Sequence, residues 1–425
     1  MRLTAAAILI ALGLAGQVQA KAPLAAWVQM TGAGAQVRAV AAGQACPTLK
    51  VNGHPRAMKL RAGPDEAFDN RICEAPLRAG AKRISVEGET LPLPKARPQR
   101  LVILGDTGCR LKGPFIQNCN DPVAGWPFAK VAALAAAQKP DLVIHVGDYY
   151  YRETACPFGI SACAGSPFGD KWPTWKAELF DPAASLLKAA PWVFARGNHE
   201  DCHRGGKGWF RLLDADSKVR ACPAQSDTFT VDIGGARLAV LDTADPDDLK
   251  AAPEQTDAVI ANLKAIPTGK TPVWLVTHRP VWTVIRAGPL LFDGLANANE
   301  RAAVRAAGLP GVELLLVGHV HNFTSLDFDG GRPGELIVGT GGDAQDPNDL
   351  PPPATGRLKI DGQTAQAFTM GRFGYFVLNR KGEASNDDWA GAFHDLTDAV
   401  IATCELHLGR LTCAEAPGAK GGAKE

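Results

Sequence analysis

The stretch Pro140-Asp-Leu-Val-Ile-His-Val-Gly-Asp-Tyr-Tyr-Tyr151 decides the fold. Asp141 to Val146 is a short, largely apolar run between a helix-stopping proline and Gly147-Asp148, and it reads as a strand buried on both faces. Working outward, Leu101-Val-Ile-Leu104 ends in the same way at Gly105-Asp106. Pro191 to Ala195 leads to Gly197-Asn198, Val273 to Val276 to His278, and Glu313 to Val317 to Gly318-His319-Val320-His321. Helical patterns separate these runs at Phe128 to Lys139, Leu179 to Ala190, Glu254 to Lys264 and Asn299 to Ala307. Thr228 to Ile233 and Arg237 to Leu241 read as a hairpin around Gly234-Gly235, with further strands at Leu336 to Val338 and Tyr375 to Leu378. Such strand–helix alternation predicts an α/β fold with β-sheets flanked by helices.

Each strand in the series ends in a side chain able to bind a metal. The carboxyl ends of strands in α/β sheets open on a common crevice, so Asp106, Asp148, Asn198, His278, His319 and His321 can meet although distant in sequence. Taken singly, an Asp after Gly is an ordinary turn or helix cap, and a His after a strand is usually a satisfied polar group. The ordered series of five is hard to obtain from independent turns, and His319-Val320-His321 sets two imidazoles on one side. With Tyr151 added, the donors are carboxylates, a phenol, an amide oxygen and imidazoles, which suit borderline-to-hard ions. They exceed what one tetrahedral ion needs and fit two ions sharing a carboxylate.

The rest of the chain sets the context. Over 425 residues the formal net charge is +1, so no global field draws the protein to a nucleic-acid polymer or an anionic membrane. Arg2, the apolar run Ala5 to Ala15 and Val18-Gln19-Ala20 have the order of a signal peptide over residues 1–20, too short to span a bilayer. No later stretch is long and apolar enough to span, which predicts a periplasmic or secreted protein. The ten cysteines fall into neighbouring couples without Cys-x-x-Cys knuckles. Nearest-neighbour pairing (Cys46 with Cys73, Cys109 with Cys119, Cys156 with Cys163, Cys202 with Cys222, Cys404 with Cys413) would staple five loops or hairpins, although spacing alone leaves connectivity open. Residues 21–97 alternate in short runs and predict a small β-rich domain ending in a proline-punctuated linker. Residues 98–413 form the predicted catalytic domain, and the Gly/Ala/Lys-rich segment 414–425 reads as a disordered tail.

The blocks Gly105-Asp106-Thr107-Gly108, Gly147-Asp148-Tyr149-Tyr150-Tyr151, Gly197-Asn198-His199-Glu200, Leu275-Val276-Thr277-His278 and Gly318-His319-Val320-His321 resemble the signature of the calcineurin-like metallophosphoesterases. Within that superfamily they look like the purple acid phosphatase branch. Most members carry a metal-binding His two residues after the first Asp; that position is Gly108, which cannot ligate. The purple branch carries a Tyr three residues after the second Asp, and that position is Tyr151. The resemblance covers Leu101 to His321 and implies a layered metallophosphoesterase fold. It assigns Fe(III) to Asp106, Tyr151 and His321, and a divalent ion (Fe, Zn or Mn) to Asn198, His278 and His319, with Asp148 bridging.

It further implies an acid phosphomonoesterase acting on a small phosphorylated substrate through a metal-bridging hydroxide, with His199 protonating the leaving oxygen or orienting the substrate. Glu200 is the candidate to fix the His199 tautomer. A phosphodiesterase or nucleotidase of the same superfamily is the alternative enzyme, and a non-catalytic metal-binding module the alternative of another class. Arg110, Arg152, Arg204 and Arg279 follow the metal blocks and could reach phosphate. Trp126, Trp172, Trp175, Trp209 and Trp282 could line a cleft or simply pack. The Arg152 to Cys156 run and the Cys156 to Cys163 loop depart from the family pattern and bear on substrate preference.

Overall fold

Strands that are apolar at every position need a core on each side, and here they have one. A computed structural model describes residues 23–219, 221–294, 297–345, 352–382, 388–407 and 409–418. In the strand Arg100–Leu104 (β1), Leu101 and Ile103 enter one core while Val102 and Leu104 enter another. The same division runs through Leu142–His145 (β2) and Trp192–Phe194 (β3), where Ile144 and Val193 face the first core and Val143 and Trp192 the second. In Val273–Val276 (β4), Trp274 and Val276 join the first core; Val273 and Leu275 face a third. Val312–Val317 (β5) alternates likewise, with Leu314 and Leu316 inside and Leu315 and Val317 outside.

These alternations build four layers. An eleven-stranded sheet carries β1, β2 and β3 as parallel neighbours, and an eight-stranded sheet carries β4 and β5 side by side in parallel. The first core fills the space between the sheets. The helix Phe128–Ala137 (α1) covers the outer face of the larger sheet through Phe128, Val131 and Ala135. The helices Pro253–Lys264 (α2) and Ala298–Ala307 (α3) cover the smaller one through Val259, Leu263 and Ala303. The blocks that carry the candidate ligands therefore sit at the carboxyl ends of strands from two stacked sheets.

The helix expected over Leu179 to Ala190 is interrupted. A π-type turn over Lys176–Phe180 gives way at Asp181-Pro182 to a short helix, Ala184–Ala189. Pro182 lacks the N–H that a continuous helix needs and clashes with the preceding turn.

The N-terminal region is β-rich, as its alternation predicts. Four of its strands (Ala25–Thr31, Gly34–Ala41, Lys59–Ala62 and Arg71–Pro76) extend the eleven-stranded sheet, joined to β3 by the parallel register Gln29↔Trp192. The others form a separate four-stranded sheet, and a core containing Val28, Val37, Leu49, Cys73 and Val86 lies between. The region thus has its own core while sharing a sheet with the remainder.

All ten cysteines pair with their nearest neighbours, as Cys46–Cys73, Cys109–Cys119, Cys156–Cys163, Cys202–Cys222 and Cys404–Cys413. The last strand runs from Arg410 to Glu415, past Cys413. The expected signal segment, residues 1–20, and the tail beyond 418 lie outside the described residues. Among the described residues no helix is long and apolar enough to cross a membrane.

Candidate metal centre

Asp106, Asp148 and Asn198 follow β1, β2 and β3; His278 follows β4, and His319 and His321 follow β5. The turns that redirect the chain are tight. Asp106, Asp148 and His319 adopt left-handed backbone, with φ of 56°, 62° and 70°. Such conformations cost about 1–3 kcal/mol each and cluster where function requires them.

The seven predicted ligands meet in two groups. In one, the Tyr151 hydroxyl lies 3.0 Å from Asp106 Oδ1, 2.8 Å from Asp148 Oδ2 and 3.1 Å from His321 Nε2. In the other, His278 Nε2 lies 3.1 Å from Asp148 Oδ2 and 3.0 Å from Asn198 Oδ1, and His319 Nδ1 lies 2.8 Å from the same amide oxygen. Asp148 Oδ2 belongs to both groups, and Asp148, His278 and His319 alone are close enough to grip one ion.

Each imidazole is held from behind. His278 Nδ1 is 2.9 Å from Val146 O, His321 Nδ1 is 2.9 Å from Ala344 O, and His319 Nε2 is 3.2 Å from Asp248 Oδ1. With the outer nitrogens donating to these oxygens, the inner nitrogens turn lone pairs toward carboxylate and amide oxygens, the usual back-anchoring of metal-bound histidine. Acceptors gathered this closely repel unless a cation or a shared proton lies among them.

The electrostatics carry the same signature. Burial opposes charge on His278, yet Asp148 and Asp106 outweigh it and hold the imidazolium up to about 9. Burial opposes charge on His321 as well, and Asp343 with Asp106 lifts it to about 9. Burial, reinforced by Asp106 and Asp148, pushes the Tyr151 phenol well above its ordinary value. A cation held here would displace those protons, the usual coupling of metal binding to proton release.

Two buried glutamates brace the loops. Glu200 accepts the backbone N–H groups of Asp148, Tyr149, Tyr150 and Gly197 at 3.1, 2.8, 2.9 and 3.0 Å. Glu200 therefore does not orient His199, as the sequence suggested. Glu153 stands in that role, with Oε1 2.8 Å from His199 Nδ1. Glu178 accepts from the N–H groups of Cys109 and Tyr151 and pairs with Arg152 at 3.1 Å. Burial pushes Glu178 up to about 7 against the pull of Arg152. Glu153, Glu178, Asp248 and Asp343 all sit away from strand ends, where the sequence offers no periodic signal.

A cleft of about 900 Å³ opens over the two groups, lined by Asp148, Asn198, His199, His319 and His321. Of the four arginines considered, Arg110 alone lines it, held by Asp343 and lying 5.4 Å from the Tyr151 ring centre. Arg152 is buried against Glu178 and Trp126, Arg279 pairs with Asp248, and Arg204 reaches Glu153 and Asp201. The five tryptophans are buried and line no part of this cleft.

Residues 99–323, more than half of the chain, match the family model of calcineurin-like phosphoesterases. The chain belongs to that family. As a metallophosphoesterase it is a phosphate-ester hydrolase. The solved structure of PhoD is similar at 13% identity, covering 95% of this chain and 94% of that one with a TM-score of 0.56, a likeness of fold. GAP50, the anchor in the inner membrane complex of Plasmodium, matches at 14% identity over 73% of this chain and 89% of its own, with a TM-score of 0.43. No curated protein sequence matches this metallophosphoesterase.

Proposed function

We propose that this metallophosphoesterase is an exported acid phosphomonoesterase of the purple acid phosphatase kind. Fe(III) would be held by Asp106, Tyr151 and His321, a divalent ion by Asn198, His278 and His319, and Asp148 would lie between them. Such an ion pair acidifies water and draws charge from the phosphoryl oxygens during in-line displacement.

The observation that carries the reading is the setting of Tyr151. Its hydroxyl lies within hydrogen-bond distance of two carboxylates and the His321 ring. Gly108, where other branches carry a histidine, leaves no room for one, since a Cβ there would fall 2.6 Å from the Tyr151 ring. A phenol buried beside two carboxylates becomes a phenolate only where a cation balances the added charge, and Fe(III) would balance more of it than a divalent ion. The purified, metal-replete protein is expected to absorb in the visible and to contain iron, and Tyr151→Phe to lose the band while keeping the fold. A colourless protein with zinc or manganese alone would refute the iron assignment and leave the hydrolase intact.

His199 is the group this chain offers to the leaving oxygen. Its ring lines the cleft beside Asp148, 3.8 Å from the Tyr151 ring centre, with Nδ1 turned to Glu153. Nε2, 4.0 Å from Asp148 Oδ2, is then the ring nitrogen left to meet the leaving oxygen. His199→Ala is expected to lower kcat by roughly a hundredfold or more, less for nitrophenyl esters, whose leaving group needs no proton. Equal losses on nitrophenyl and alkyl phosphates would remove proton transfer from its role.

The cleft lining includes one arginine and no lysine, and that arginine, Arg110, is already paired with Asp343. That supports a substrate with a single phosphoryl group rather than a polyphosphate. Comparing nitrophenyl phosphate with its bis-nitrophenyl diester tests the monoester assignment, which preferential diester cleavage would overturn.

A further inference from the structure

The cleft over the candidate ligands carries apolar side chains that the chemistry at its floor does not use. Phe115 and Ile116 enter its lining from the hairpin beside Arg110, and Leu249 from the loop that carries Asp248. Val320, between His319 and His321 in the chain, lines it as well. Phe115 is 64% exposed and Leu249 74%. A single exposed apolar residue is ordinary on a protein surface. Two large ones that line one concave site from separate segments are different, because a ligand seated there is what would cover them.

Both side chains stand on anchored backbone. The hairpin of Leu111–Lys112 and Phe115–Ile116 is closed by the Cys109–Cys119 disulfide. Leu111 O accepts the N–H groups of Glu153 and Thr154, each at 3.0 Å, which ties the hairpin to the loop after Tyr151. Leu249 sits in a turn where Asp247 Oδ1 accepts the N–H groups of Leu249 and Lys250 at 2.8 and 2.9 Å. Walls fixed before a ligand arrives lose little freedom when it binds.

The hairpin also sets Phe115 on the side of the leaving group. Residues directly opposite in an antiparallel pair project from the same face, and Phe115 is paired with Lys112. Lys112 Nζ lies 3.7 Å from Glu153 Oε1, the same oxygen that stands 2.8 Å from His199 Nδ1. Phe115 therefore shares its face with the side chain that reaches toward His199, the group offered to the leaving oxygen. The neighbouring polar side chain is already committed. Gln117 accepts from Arg110 N at 3.0 Å and donates to Gly125 O and Gly342 O at 2.7 and 2.8 Å. A hydroxylated leaving group would exchange water for carbon here and lose hydrogen bonds in doing so.

We propose that Phe115 and Leu249 are specificity-determining residues, the apolar walls of a leaving-group subsite that selects phosphate esters of alkyl or aryl alcohols over those of sugars and other hydroxylated alcohols.

Calorimetry on the full disulfide-bonded, metal-replete protein tests this with alkylphosphonates, which have no ester bond to cleave. Hexylphosphonate is expected to bind about tenfold more tightly than ethylphosphonate, and 5,6-dihydroxyhexylphosphonate to lose most of that gain. In the double variant Phe115→Ser, Leu249→Ser the hexyl-to-ethyl ratio should fall to about twofold or less, whereas Phe115→Leu, which keeps an apolar wall, should retain most of it. Both side chains are largely exposed, so neither substitution removes a core contact. Equal binding of the hexyl and ethyl compounds, a dihydroxyhexyl compound as tight as the hexyl one, or a ratio unaltered in the double variant would each overturn the proposal. The subsite rests on the phosphomonoesterase reading, and the two fail separately. Preferential cleavage of the nitrophenyl diester would overturn that reading alone, whereas a missing chain-length preference beside monoester cleavage would overturn the subsite alone.

Discussion

Asp148→Asn is expected to reduce phosphatase kcat/KM by roughly a thousandfold or more while leaving the circular dichroism spectrum unchanged. The substitution is chosen to remove charge and little else. Asparagine tolerates the left-handed backbone at this position, where φ is 62°. The bond from His199 N to Asp148 Oδ1, 2.9 Å, can persist with an amide oxygen, so the loop keeps its anchor. What is lost is the negative oxygen standing 2.8 Å from the Tyr151 hydroxyl and 3.1 Å from His278 Nε2. An amide presents either a neutral oxygen or an N–H to those partners, and neither would balance the charge of the ions proposed here. Metal analysis should find less than the parent content in the folded variant. A protein that retained its metal content and its turnover would remove Asp148 from the centre of the site.

The sequence exposed this cluster because the candidate ligands ride on strand ends, and strand ends are legible. A strand buried on both faces is written as an unbroken apolar run, and the layers require that for β1, β2, β4 and β5. The polar residue ending such a run then stands out. The bracing groups have no comparable mark. Asp248 lies in an Asp-Pro-rich loop, and Glu153 and Glu178 lie in the loop and irregular helical turn after β2, so only the fold brings them to His319, His199 and the Tyr151 amide. Glu200 misled because adjacency in sequence suggested His199, whereas backbone N–H groups, which no sequence displays, claim its carboxylate. The strand pairing of Gln29 with Trp192 is likewise a tertiary choice that neither segment announces alone. The break at Pro182 went unread because the helical pattern on either side masked the proline's steric demand.

If the centre depends on how closely those strand ends approach, adding a single methyl group between them should dismantle it. Gly147→Ala is expected to destabilise the fold by about 2–4 kcal/mol and to remove most of the hydrolase activity. Gly147 has φ of 104°, a region that alanine enters only under strain. A Cβ there would lie 2.5 Å from His278 Nδ1 and 2.8 Å from its Cγ, closer than side-chain atoms approach. The ring cannot simply turn away, because its Nδ1 is fixed on Val146 O and its Nε2 must still face Asp148 and Asn198. Relief therefore requires moving β4 away from the turn after β2, which separates Asp148 from His278. Gly159→Ala separates strain from contact, since Gly159 has φ of 82° and a methyl group there would meet nothing within 4 Å. It should cost about 1 kcal/mol and leave turnover untouched. Urea unfolding midpoints and initial rates on nitrophenyl phosphate measure both variants, and a Gly147→Ala enzyme as active as the parent would show that the two sheets do not need this approach to form the site.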